Sequence, residues 1–93
     1  MKRVEVELIG EVTNATVVRL PGRRFPGIVI QGDSLAILAS AAERALKALG
    51  AGRGEEASEE LQELVDLLGR YRTEYEKALG VTGLELPYVK SEN

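Results

Sequence analysis

The chain has 93 residues, 44% hydrophobic and 29% charged, with a formal net charge of −3 at pH 7 and neither Cys nor His. Those two absences exclude a disulfide framework, thiol chemistry, a zinc knuckle and every nucleophilic dyad whose base is an imidazole. One Phe and three Tyr leave an aliphatic core, and a chain this short is expected to form a single α+β domain over residues 1–93.

Lys2 to Ile9 alternates, with Val4, Val6 and Leu8 set toward a core and Arg3, Glu5 and Glu7 toward water, the pattern of a half-wet strand. The opening residues therefore do not form an apolar block, and no apolar run reaches the ~18 residues of a membrane span. A cytoplasmic protein without a signal peptide is expected. Around Gly10 to Asn14 the alternation lapses into a turn, and a second strand follows in residues 15–20. Pro21-Gly22 and Pro26-Gly27 are both turn signals, and between them Arg23, Arg24 and Phe25 are confined to a surface loop. Ile28-Val29-Ile30 makes a third strand, apolar on both faces and so central or covered by a helix.

Gly32 ends that strand, and Asp33 or Ser34 is positioned to cap a helix of residues 34–49. Leu35, Leu38, Ala39, Ala42, Leu46 and Leu49 form its apolar stripe, which is expected to pack on the sheet, and Gly50 closes it. After the connector Gly50-Ala51-Gly52-Arg53-Gly54, a second helix of residues 55–79 opens on Glu55 and Glu56. It repeats Leu61, Leu64, Val65, Leu68, Tyr71, Tyr75 and Leu79 at helical spacing and stops at Gly80. In the tail, residues 80–93, Leu84, Leu86 and Tyr88 alternate as a short edge strand does, with Pro87 blocking further pairing. The expected architecture is α+β: a three-stranded antiparallel sheet over residues 2–31 followed by two helices.

Residues 1–54 carry eight Lys/Arg against five Asp/Glu, and residues 55–93 carry four against ten. The acidic second half argues against general nucleic-acid binding and leaves room for charged protein partners. Arg19, Arg23 and Arg24, with Phe25, form the one basic cluster, suited to a partner's carboxylates or to an anion. Glu56, Glu59, Glu60 and Glu63 are a second candidate surface, for a basic partner. Their arrangement lacks the interleaved Gly or Asn of a calcium loop, so no metal and no cofactor is expected. Leu67 widens the apolar stripe of the second helix, and with Tyr71 and Tyr75 it is the candidate oligomer interface, core packing being the alternative for the two Tyr.

The letters Gly32-Asp33-Ser34-Leu35 are those that name a family of Ser esterases. A Ser hydroxyl needs a base to become nucleophilic. With no His present, no catalytic residue is assigned and no enzyme activity is expected. Two other resemblances are carried by the same region. Residues 26–49, with Pro26-Gly27, a short strand, Gly32-Asp33-Ser34 and an Ala-rich helix, are similar to the antitoxin domain of the HicB family. The block from Val17 to Leu35 also resembles the hallmark of a small uncharacterised bacterial family. The HicB likeness implies a domain with a partial ribonuclease-H-like fold and no catalytic residues, which binds and silences a toxin, often as a dimer or larger oligomer. The expectation is a small binding protein of antitoxin or immunity type. A homodimeric structural or regulatory protein and an anion-binding module using the Arg loop are the alternatives.

Overall fold

Three strands and two helices follow one another as β1 (Glu7–Ile9), β2 (Thr16–Arg19), β3 (Gly27–Val29), α1 (Gly32–Gly50) and α2 (Gly54–Thr82) in a computed structural model that describes residues 1–90. This is the expected α+β order. The end of the expected tail lies outside the described residues, and residues 84–89 form no strand. The chain divides into two units: Met1–Ile30 together with the chain from Tyr71 onward, and Gln31–Arg70.

In the first unit the strands pair antiparallel in the order β1-β2-β3, with Ile9 opposite Val17 and Val17 opposite Ile28. Two turns set that register. Thr13 Oγ1 accepts the Ala15 N–H at 3.0 Å and the Thr13 N–H donates to Thr16 Oγ1 at 2.9 Å, closing the first connection. In the second, the Arg23 N–H donates to the Leu20 carbonyl at 3.1 Å across Pro21-Gly22, where Gly22 takes a φ of 77° that a side chain disfavours.

Three expectations about the sheet are corrected. Pairing in β1 begins only at Glu7, so residues 2–6 are not a strand. Its inward residue is Ile9, while Val4, Val6 and Leu8 are exposed, because a register shifted by one residue turns every side chain to the other face. The third strand is an edge rather than a centre: Ile28 packs against the core that Tyr75 and Leu79 of α2 help to form, as the helix-covered alternative expects, but its other face is open and Val29 remains 51% exposed.

The core of this unit is Ile9, Val17, Tyr75 and Leu79, with Ile28, Ala78, Leu84 and Leu86 packed against it. The helix that covers the sheet is thus the last part of α2, where the expected cover was the first helix. Tyr75 and Leu79 lie one turn apart on one helical face, so both descend onto the sheet.

The second unit is a helical hairpin. Its buried side chains are Leu38, Ala41, Ala45 and Ala48 of α1 and Ala57 of α2, and Arg44 Nε donates to Glu60 Oε1 across it at 3.0 Å. The expected stripe of α1 is corrected accordingly: Leu38 alone of its members is buried, and Leu35, Leu46 and Leu49 are 56%, 73% and 64% exposed.

Both helices outrun their expected ends for one reason. The Arg53 N–H donates to the Ala48 carbonyl and the Gly52 N–H to that of Leu49, while the Leu84 N–H donates to Leu79 and the Gly83 N–H to Gly80. These paired bonds need a left-handed residue just beyond the helix, which Gly52 and Gly83 supply with φ of 77° and 73°. Gly50 and Gly80 are ordinary helical residues. At the start of α1 the cap is Gln31, without a side-chain bond. Asp33 lies inside the first turn, where its Oδ1 accepts the Ser34 N–H at 2.8 Å, so neither Asp33 nor Ser34 is the cap.

Candidate protein-binding site

The loop between β2 and β3 is pinned at both ends. The Pro21-Gly22 turn closes one end, and at the other the Tyr75 hydroxyl donates to the Pro26 carbonyl at 2.6 Å in a buried position. That single bond ties residues 49 apart and supplies the buried Pro26 carbonyl with a donor. Burial holds the Tyr75 hydroxyl proton more tightly than usual, pushing its pKa up.

Between these anchors Arg23 and Arg24 are exposed, and neither is paired with a carboxylate among the described residues. The Arg24 guanidinium lies 5.1 Å from the centroid of the half-buried Phe25 ring, a cation–π distance. Arg19, expected in the same cluster, is already engaged. Its Nε and Nη2 donate to Glu7 Oε1 and Oε2 at 2.8 and 2.9 Å, a two-pronged pair across neighbouring strands. The hydrogen bonds and then the charge of Arg19 lower the Glu7 pKa, and Glu7 raises that of Arg19. Opposite charges at paired positions Glu7 and Arg19 reinforce the strand register.

Two hollows flank Pro26. One, of about 270 Å³, is lined by Arg19, Arg24, Phe25, Pro26, Gly83, Leu84 and Glu85. The other, of about 340 Å³ and mostly apolar, includes Pro26, Gly27, Ile28, Tyr71, Tyr75 and Tyr88. Tyr88 stacks on Tyr75 with centroids 6.3 Å apart, and its hydroxyl donates to Glu76 Oε2 at 3.0 Å. Burial, then the Glu76 bond and charge, raises the Tyr88 pKa. The structure thus gathers Arg24, Phe25 and Tyr71 around Pro26, together with Tyr88, a residue the sequence did not flag as a site. No local pattern announces that grouping, because it depends on the Tyr75 to Pro26 bond.

The remaining candidates are dispersed. Glu56 binds Arg53 and Glu60 binds Arg44, whose pKa rises through that hydrogen bond and charge. Glu59 and Glu63 stay exposed on α2. Among the described residues no group of three acidic side chains converges as metal ligands do. Tyr75 is in the sheet core, 8% exposed, and so is closed to a partner; Leu67 and Tyr71 are half-buried. Ser34 is the third residue of α1 and half-buried.

A family model described as a family of unknown function (DUF6959) matches residues 1–88. The chain belongs to that family. No curated protein and no solved structure matches it. The HicB likeness of residues 26–49 accordingly rests on those residues alone. Among the described residues no helix is long and apolar enough to cross a membrane.

Proposed function

We propose that this member of the family is a small non-catalytic binding domain that acts by contact on a partner protein with an acidic surface, in the manner of antitoxin and immunity proteins. The observation that carries the reading is the pinned Arg23-Arg24-Phe25 loop. Its two guanidinium groups have no carboxylate partner among the described residues, and its backbone is fixed at both ends. A loop already ordered loses little entropy on binding, so its contacts convert efficiently into affinity. Arg and aromatic side chains are the types that dominate binding hot spots, and the hollows beside Phe25 and Pro26 offer seats for a partner's side chains. Arg19 contributes by holding the strand beneath the loop rather than by touching the partner.

The test is affinity for the protein that co-purifies with the chain. Arg23→Ala with Arg24→Ala is expected to weaken binding at least about tenfold and to flatten its dependence on salt, as for loss of charge-assisted contacts. Unchanged affinity in the double variant overturns the reading. Arg19→Ala serves as the contrast, with a smaller effect on binding.

A further inference from the structure

The hairpin of α1 and α2 carries most of its large apolar side chains on the outside, with Leu38, Leu64 and Leu67 turned inward. Along α1 the buried positions 38, 41, 45 and 48 alternate steps of three and four, and so do the exposed apolar positions 35, 39, 42, 46 and 49. At about 100° per residue these are two adjacent stripes of one helix. The inner stripe is Leu38 and three Ala, and the outer stripe is Leu35, Ala39, Ala42, Leu46 and Leu49. On α2, Ala57, Glu60, Leu64 and Leu67 line the inner side, and Leu61, Val65 and Leu68, which are 48%, 60% and 50% exposed, form the adjacent outer row. In an antiparallel pair the two outer rows, each turned by about a quarter-turn in the same sense from the inner contact, fall on one face of the hairpin. The opposite face carries Arg44, Glu59, Glu63 and Arg70, with Ile37 its one large exposed apolar side chain on α1.

We infer that this face is covered by a second copy of the chain, the two hairpins forming a four-helix bundle about a two-fold axis. Two observations select a second copy over a foreign partner. The first is charge. A two-fold contact brings each patch against itself, so a patch with excess charge repels its own copy. Here the rim of the α1 row holds Glu43 and Lys47, one acid and one base a turn apart, while the acidic surplus of α2 lies on the other side.

The second observation is area. A buried aliphatic side chain removes roughly 60–120 Å² from water. The six large side chains of the row are 48% to 73% exposed, which leaves roughly 200–400 Å² of apolar surface per copy. Homodimer interfaces are about 65% apolar, so this row anchors roughly 300–650 Å² per copy and roughly 650–1,300 Å² in total, a range that spans the about 1,000 Å² at which specific interfaces begin. The close Ala contact inside each hairpin suits such a bundle, because it lets four helices share one seam.

Sedimentation equilibrium of the full chain across the micromolar range is expected to give twice the mass of 10.1 kDa. Its melting temperature is then expected to rise with concentration, as for any state stabilised by association. Leu46→Glu, which places a charge in the seam, is expected to raise the dissociation constant about 100-fold or more. Arg23→Ala with Arg24→Ala is expected to leave the mass unchanged, which separates this inference from the proposed function. A single-chain mass with a concentration-independent melt overturns the second copy and assigns the face to a foreign partner. A double mass that persists in a folded Leu46→Glu variant overturns the face. Where that variant does not fold, Leu46→Gln in the same measurement decides.

Discussion

The sheet unit and the hairpin differ in the size of the side chains they bury. The sheet unit places Val17 and Leu79 at 2% and 0% exposure and Tyr75 at 8%, all held together by contacts distant in sequence. The hairpin buries three Ala of α1 and Ala57 of α2 to 3% or less, and leaves Leu46 and Leu49 more than 60% exposed. Large side chains buried within a unit make it self-sufficient, since stabilisation scales with apolar area removed from water. Small ones buried and large ones exposed make a unit whose main apolar surface awaits another molecule.

That contrast can be broken by substitution. The largest effect is expected in the sheet core: Leu79→Ala should cost about 2–5 kcal/mol in denaturant unfolding, because a fully buried leucine leaves a cavity. Next, Ala45→Leu should destabilise by about 1–3 kcal/mol, since the close contact inside the hairpin has no room for three more carbons. Stabilisation by Ala45→Leu would show that the interior is loose and would dissolve the contrast. Tyr75→Phe should cost about 1–2 kcal/mol by leaving the buried Pro26 carbonyl without its donor.

The same variant sharpens the picture through pH. The Tyr75 pKa is raised above its ordinary 10.0, so its contribution is complete below 10.0 and is lost as pH rises through the folded value. Alkaline melts should therefore fall less steeply in Tyr75→Phe, with Tyr88 retaining part of the slope. The smallest effect is at the sheet surface. Glu7 is lowered below its ordinary 4.5, so its contribution is present above 4.5 and is lost as pH falls through the folded value. Arg19→Met should flatten that acid limb slightly, the pair being solvent-exposed.

Much of the secondary structure was legible in the sequence, and the failures have identifiable causes. The order of elements follows from alternation in residues 2–9 and helical spacing after Gly32. The Pro-Gly turns placed the Arg loop correctly because Pro and Gly have narrow and broad φ preferences respectively. Helix ends were misplaced because a Gly stops a helix only where it turns left-handed. At α2 the choice of Gly83 over Gly80 is made by Leu84, which returns to the core beside Leu79. The facing of β1 was ambiguous, since Leu8 and Ile9 are both apolar and only pairing with Val17 selects Ile9. In α1 both stripes are apolar, and side-chain size, which periodicity ignores, decides that the Ala stripe turns inward. The free state of Arg23 and Arg24 against the pairing of Arg19 depends on Glu7 lying across the ladder, a relation between residues 12 apart.

The contrast between the two units is tested most directly by native-state hydrogen exchange of the unmodified chain at two concentrations. Dilution below the dissociation constant should lower the protection of amides in α1 around Leu38 to Leu46. It should leave those at Val17 and Leu79 unchanged, because only the hairpin draws stability from a second copy. Equal protection of α1 at both concentrations, in a chain shown to be monomeric at the lower one, would contradict the account.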